Sequence, residues 1–273
     1  MTRRFLPSDP ADFLRSVVPL ALLAVAALVP FARILVAIVL LVVTAVAINR
    51  AAPVRWAWAA SVPIGASLAW QAWRGGPFRP SDLDCTDPAS PFAIDRLAEA
   101  AIVLGVLIAI TLVLGASRSS LGLRLPARRY VSWAAIGFIV AGPIALAIGP
   151  IIARPFFGDV GYDLTRTGAI VPALVFAASN GILEEIAYRG VLLNWSARLL
   201  GVGPALLAQA VIFGLAHSGT GESASQVVLI VGMALAGLIA GAVALRTRSV
   251  LIPMAIHVGL DIPIYYAWAC STT

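Results

Sequence analysis

Apolar side chains run almost without a break from Val17 to Ile48, and this run restricts the chain to a membrane fold. One helical crossing of a bilayer takes about 20 residues, so the run is long enough for two. Pro30 and Arg33 divide it, which predicts a tight hairpin of two helices. The chain as a whole is 60% hydrophobic and 12% charged, whereas soluble domains average about 45–50% and 25%. A polytopic membrane protein is therefore expected.

Hydropathy predicts an all-α fold, a polytopic membrane helical bundle of about nine transmembrane helices, with eight as the alternative count. The predicted spans lie near residues 13–30, 33–48, 56–73, 97–115, 131–152, 168–200, 203–221, 226–245 and 249–269. The motifs described below lie in the second half of the chain. We therefore expect motif-free N-terminal helices over residues 1–130 and a peptidase-like core over residues 131–273.

The placement of the arginines supports nine crossings over eight. The chain has no lysine, so its net charge of +6 comes from arginine alone. A cytoplasmic N-terminus and nine crossings put most of the arginines on the cytoplasmic side, as the positive-inside rule requires. The arginines assigned to the outer side are Arg33, Arg74, Arg79, Arg96, Arg154 and Arg166. Because the basic residues are dispersed among spans, we expect a multi-pass protein of the cell membrane, with the lipid bilayer as its surroundings and no nucleic-acid partner.

Cys85 and Cys270 are the two cysteines of the chain, and the predicted topology puts both on the outer side. Disulfides persist in such an environment. A disulfide between the two and a pair of unpaired thiols both remain open at this point.

The stretch Asn180–Gly190, NGILEEIAYRG, brings three ionisable groups into an apolar segment. Each costs roughly 2.5–3.5 kcal/mol at the centre of a bilayer. On a helix, Glu185 and Arg189 lie four residues apart on one face, so they can neutralise each other. Glu184 points about 100° away and is expected to lack that partner.

Three further ionisable groups follow within predicted spans: His217, His257 and Asp261. Each can be a simple interhelical hydrogen-bonding group. However, Glu184 precedes the turn at Gly201 by about as many residues as His217 follows it, so antiparallel helices bring the two to one depth. His257 and Asp261 lie four residues apart and share a helix face. A convergent polar site within the bilayer is therefore expected.

A buried carboxylate and an imidazole around one water molecule are sufficient for hydrolysis. The same Glu and His set could instead bind zinc. Because the His-Glu-x-x-His pattern is absent and no cysteine lies nearby, we assign neither a metal nor another cofactor.

Taken in order, the motifs Glu184-Glu185-x-x-x-Arg189, Phe213-x-x-x-His217 and His257-x-x-x-Asp261 resemble those of a known family. It is the CAAX-protease and bacteriocin-processing family of intramembrane glutamate peptidases, also called the abortive-infection family. The resemblance covers residues 169–266, and the upstream Leu121–Arg124 is similar to the stretch before the family's core. It implies an all-helical endopeptidase that cuts a membrane-associated protein or peptide substrate in a water-filled cavity.

The resemblance also implies roles for the motif residues. Glu184 would activate the water, assisted by His217, and Glu185 and Arg189 would form the supporting structural pair. His257 would stabilise the oxyanion with the residue four positions later. Well-studied eukaryotic members have asparagine there, whereas this chain has Asp261, and an ionised aspartate only accepts hydrogen bonds. Asp261 would then either orient His257 as a donor or mark an altered, inactive member.

Two other classes of function fit the same buried groups. One is a non-catalytic membrane scaffold or regulatory partner that uses the polar cavity for binding. The other is an ion-coupled transporter, although no inverted repeat or pair of broken helices is evident.

The predicted orientation can be tested with epitope tags. We expect a protease added outside intact cells to remove a C-terminal tag and to spare an N-terminal tag, because an odd number of crossings separates the two ends. Tags that are both removed or both spared would contradict nine crossings. Tags removed from the opposite ends would contradict the arginine-based orientation.

Overall fold

The computed structural model describes residues 10–49, 52–74, 85–87, 89–157, 163–218 and 223–270, and these residues form a helical bundle. The α-helices are α1 (Pro10–Leu28), α2 (Arg33–Ala47), α3 (Ala52–Arg74), α4 (Pro91–Leu114), α5 (Arg128–Phe157), α6 (Ile170–Glu184), α7 (Asn194–Leu200), α8 (Val202–Ala216), α9 (Ser223–Thr247) and α10 (Leu251–Ala269). A π-helical segment, Glu185–Leu193, joins α6 to α7 without a break. Short 3₁₀ turns cover Pro30–Ala32, Arg118–Leu121 and Thr167–Ala169.

The helices follow the predicted spans, so the all-α polytopic bundle is confirmed. Among the described residues, six helical stretches are long and apolar enough to cross a membrane, judged by length and composition. They are Pro10–Leu28, Pro30–Ala47, Pro91–Leu114, Arg128–Gly149, Thr167–Leu200 and Gln226–Thr247. α8 and α10 are apolar but shorter, and α3 falls in neither group. Crossings by these three helices therefore stay predictions.

The stretch Thr167–Leu200 forms the centre of the bundle. Its apolar window is 67% buried within the protein, compared with 11–28% for the other five candidate spans. α3, α4, α8 and α10 all pack against it. Glu184, Glu185 and Arg189, which lie in this rod, are therefore buried within the protein.

The hairpin predicted at Pro30 is present, and Arg33 closes it. The Arg33 side chain is 4% exposed and donates hydrogen bonds to the carbonyl oxygens of Ala26 and Ala27, at 3.1 and 3.2 Å. These carbonyls belong to the last turn of α1, where no helical partner is available. Arg33 was counted among the outer-loop arginines; it begins α2, at the start of the predicted span 33–48, and caps α1.

The predicted pre-core stretch Leu121–Arg124 lies against the end of the central rod. The backbone N–H of Val250 donates to the Gly122 carbonyl at 3.1 Å, and the Ser249 hydroxyl donates to the Arg124 carbonyl at 2.7 Å. Gly122 has a φ of +68°, a conformation that L side chains rarely adopt. These hydrogen bonds hold the stretch that precedes α5 against the residues that lead into α10.

A disulfide joins Cys85 to Cys270, with the two Cα atoms 5.3 Å apart. The Tyr265 hydroxyl donates to the Cys85 carbonyl at 3.0 Å, and Phe92 and Phe176 pack in the same apolar cluster. Of the two alternatives left open by the sequence, the structure has the disulfide.

We expect mass spectrometry of the non-reduced protein to find a linked peptide containing Cys85 and Cys270. Cys85→Ser should lower the melting temperature, because a disulfide across 185 residues restricts the unfolded chain and contributes about 2–4 kcal/mol in typical proteins. The matched control is the double variant Cys85→Ser/Cys270→Ser, which should be no less stable than the single one. Two thiols that react with maleimide without prior reduction would contradict the prediction.

Candidate active site

The two adjacent glutamates lie at the point where the central rod changes from α-helix to π-helix. Glu184 is the last residue of α6 and Glu185 the first of the π-helical segment. All nine residues of that segment are buried. π-Helical turns are rare and occur frequently at functional sites. The two carboxylates point to different neighbours, as their helical angle predicts.

Glu185 and Arg189 form the predicted ion pair, and both side chains are 1% exposed. Arg189 Nη1 lies 3.1 Å from Glu185 Oε1. The guanidinium also lies over the ring of Phe213, 4.1 Å from its centroid, in a cation–π contact. Phe213 belongs to α8, so this contact holds the antiparallel helix at the level that residue counting from Gly201 predicts.

Gly190 allows the π-helical segment to reach the backbone of Leu121. A Cβ atom at Gly190 would lie 2.5 Å from the Leu121 carbonyl oxygen, closer than real Cβ contacts allow. The rod and the pre-core stretch therefore meet backbone to backbone at this glycine, one residue after Arg189.

His257 of α10 connects the two glutamates to Asp261. Its Nδ1 lies 2.9 Å from Glu185 Oε1, and since an ionised carboxylate only accepts, Nδ1 carries the hydrogen. Its Nε2 lies 3.5 Å from Asp261 Oδ2, 3.7 Å from Glu184 Oε2 and 3.4 Å from Asn180 Nδ2. The imidazole is thus fixed on one side, and its other nitrogen faces the candidate site.

Asn180 lies beside Asp261, and sequence reasoning did not identify it as a site residue. Its Nδ2 donates to Asp261 Oδ2 at 2.7 Å. The Asn180 amide therefore lies beside Asp261, which is the position where the resemblance implies an asparagine. Asn180 is one α-helical turn before Glu184, so the i,i+4 spacing was the signal that could have indicated it.

α8 ends at Ala216, and His217 follows it directly. The predicted span to residue 221 therefore extends past the end of the helix, and residues 219–221 lie outside the described residues. Its ring packs 4.8 Å from that of Phe213, and its Nδ1 contacts the Phe213 carbonyl oxygen at 2.8 Å. A carbonyl oxygen only accepts, so Nδ1 carries the hydrogen and the neutral ring has a basic Nε2. His217 and Glu184 are within electrostatic reach of each other.

Arg96 is a contact of the candidate site that the sequence did not reveal. Its assignment to an outer loop was wrong, and Glu184, which was expected to lack Arg189 as its partner, pairs with Arg96 instead. α4 begins at Pro91, Arg96 is buried, and its Nη2 lies 2.6 Å from Glu184 Oε1. Arg96 also contacts Glu99 one turn further on, with Nη1 2.5 Å from Oε2. The available signal was a second pair of opposite charges close together in an apolar run, Arg96 and Glu99, three residues apart.

Among the described residues, the structure has no group of three His, Cys, Asp or Glu side chains arranged to hold a metal ion. The groups that do converge are carboxylates, imidazoles, an amide and a guanidinium. Such a set can hold a water molecule, remove its proton and donate hydrogen bonds to a negatively charged oxygen.

Ionisable groups buried within a polytopic helical bundle mark a functional site. Residues 166–262 match the protein-family model described as Type II CAAX prenyl endopeptidase Rce1-like. The matched segment contains all three motifs and all seven of their predicted site residues, and the resemblance to the CAAX-protease family is confirmed. A comparison with curated proteins and a comparison with solved structures gave no match. At the level of the family, the match supports a multi-pass membrane protease that acts on a membrane-associated protein.

Gly190→Ala should destabilise the site, because the added Cβ overlaps the Leu121 carbonyl and the backbone must shift. We expect a lower melting temperature in detergent, because the free energy of unfolding should fall by about 1–3 kcal/mol. Gly232→Ala in α9 is the matched control, since no atom lies within 4 Å of a Cβ there. The control should be neutral or slightly stabilising, because alanine favours helix over glycine. Equal melting temperatures for the two variants would contradict the proposed close approach.

Proposed function

We propose that the protein is an intramembrane endopeptidase in which Glu184 activates the hydrolytic water. The observation that carries this proposal is the asymmetry of the Glu184 carboxylate. Oε1 is bound by Arg96, whereas Oε2 is buried and accepts no hydrogen bond from the described residues. A buried carboxylate oxygen in need of a donor is a suitable place for a water molecule.

Glu184 Oε2 removes a proton from this water while the water oxygen forms a bond to the carbonyl carbon of the scissile peptide. The C=O bond becomes a single bond, and its oxygen carries the negative charge. When the C–N bond breaks, the departing nitrogen takes the proton from Glu184. His217 assists, since its basic Nε2 can accept a hydrogen bond from the same water.

His257 and Asn180 supply the donors for the oxyanion. When both ring nitrogens of His257 carry hydrogen, Nδ1–H binds Glu185 Oε1 and Nε2–H faces the site. The Asn180 amide lies 3.4 Å from that nitrogen. Asp261 accepts a hydrogen bond from the amide and thereby orients it. In this proposal Asp261 has a supporting role that requires only an acceptor, which is compatible with an ionised aspartate.

The substrate in this proposal is a membrane-associated protein or peptide that reaches the site through the bilayer. Burial of the site supports this class, since the side chains of Glu184 and Asp261 are at most 8% exposed. The arginine pattern supports an N-terminus in the cytoplasm and a C-terminus outside the cell.

Glu184→Gln and His217→Ala should abolish or strongly reduce cleavage while the protein still folds. The amide of Gln cannot take the proton from water, and general-base catalysis contributes about 10²–10⁴-fold to rate. For the measurement, the full chain is reconstituted in liposomes together with membrane proteins from the cells that produce it. New N-termini are then identified by mass spectrometry. Wild-type protein should generate termini that Glu184→Gln does not.

The matched control is Asp95→Asn, another carboxylate-to-amide change, in an exposed ion pair with Arg74 outside the site. It should cleave like the wild type. Wild-type activity in Glu184→Gln would exclude the proposed base. Loss of activity on chelation, restored by a metal, would contradict the metal-free mechanism. Ion flux into empty liposomes that Glu184→Gln abolishes would instead favour a transporter.

The same assay separates two roles for Asp261. Asp261→Asn keeps an acceptor for the Asn180 amide and should retain cleavage within about tenfold of the wild type, whereas Asp261→Ala removes it and should lose about 10²-fold. Equal losses in both variants would show that the charge of Asp261 itself is required.

A further inference from the structure

Arg96 makes three buried contacts, and two of them are with residues inside the matched family segment. Its guanidinium contacts Glu184 Oε1, the Asn180 side-chain oxygen and Glu99 Oε2. Arg96 and Glu99 lie in α4, outside residues 166–262. Burying a guanidinium is costly unless it is paired and hydrogen-bonded, so this one is held by a built set of partners.

Glu99 fixes the guanidinium from the side away from the candidate site. Its Oε1 accepts hydrogen bonds from the Ser67 hydroxyl at 2.5 Å and from Gln71 Nε2 at 3.2 Å, while Oε2 binds Arg96. Ser67 and Gln71 both belong to α3. The planar fork of an arginine has a defined geometry, so two helices outside the family segment determine where the Arg96 charge lies.

On the other side, Arg96 determines the orientation of two site residues. By holding Glu184 Oε1, it leaves Oε2 directed toward His257 Nε2. By donating to the Asn180 oxygen through Nε and Nη2, it turns the Asn180 NH₂ group toward Asp261. A guanidinium has no acceptor, so the opposite orientation of the amide would place donor against donor.

We propose that Arg96 is a positioning residue for Glu184 and Asn180, and that α3 and α4 are thereby part of the active site. This inference rests on the peptidase function proposed above. Arg96 stabilises the charge of Glu184, presents Oε2 to the water and directs the Asn180 amide. Glu99, supported by Ser67 and Gln71, holds Arg96 in place.

A purely structural ion pair between helices makes a different prediction. It would affect folding and leave the turnover of folded protein unchanged. Arg74 and Asp95 provide the comparison, since they form an exposed ion pair, 2.7 Å long, between the same two helices.

The test measures kcat and KM with a fluorogenic peptide that spans a cleavage site mapped in the liposome experiment. Arg96→Gln should lower kcat by about 10²-fold and leave KM unchanged, because a water-activating interaction acts in the transition state. Arg96→Lys restores the charge without the fork and should recover part of the loss. Arg74→Gln should match the wild type.

Three results would overturn the proposal: a wild-type kcat in folded Arg96→Gln, a raised kcat in that variant, or no recovery in Arg96→Lys. The raised kcat would mean that the guanidinium keeps the base away from water. If Arg96→Gln fails to fold, Glu99→Gln replaces it, since it keeps Arg96 and removes its anchor. An unchanged kcat in Glu99→Gln would then overturn the proposal.

Infrared spectroscopy distinguishes failure of this inference from failure of the proposed function. In Arg96→Gln, the buried Glu184 loses its cation and should take up a proton, which gives a carboxylic-acid C=O band. The band should vanish in Arg96→Gln/Glu184→Gln. If the band is absent, Arg96 does not stabilise the charged form of Glu184, and this inference is overturned. A wild-type protein that shows no cleavage, with the band present in the variant, supports that hold and contradicts the peptidase function alone.

Discussion

Charge placed inside an apolar bundle has to be compensated inside the bundle, and this constraint organises the protein around its central rod. Four buried carboxylates meet two buried guanidiniums there: Glu99, Glu184, Glu185 and Asp261 with Arg96 and Arg189. Their separate contacts join into one network from α3 through α4, α6 and α10 to the π-helical segment. In a low dielectric, each member depends on the others, because removing one leaves a charge unpaired.

Within this network, the two adjacent glutamates have different surroundings. Glu185 lies between Arg189 and His257 and is nearly sealed from solvent. Glu184 binds Arg96 with one oxygen and keeps the other oriented toward His257. Both carboxylates lie near His257 of α10, and they differ in the guanidinium that they bind. The close approach at Gly190 then holds the segment against Leu121.

Helices distant from the motifs also contact the candidate site. α3 and α4 provide the residues that hold Arg96, and the disulfide from Cys85 to Cys270 ties the chain before α4 to the end of α10. α10 also carries His257 and Asp261. The division at residue 130 between motif-free helices and a peptidase-like core stays a prediction, and the two parts share a continuous buried polar network.

The helical bundle and the local pairs could be predicted from the sequence alone. Long apolar runs must cross or bury as helices, so the helical rods were predictable. Residues four apart on a helix meet, so Glu185 with Arg189 and His257 with Asp261 were predictable as well. Which residues distant along the chain complete the candidate site became evident only from the way the helices pack. Arg96 lies 88 residues from Glu184 and Asn180 lies 81 from Asp261, and nothing in local spacing relates such positions. Their partners depend on how the helices pack, and packing is set by the summed contacts of the whole bundle.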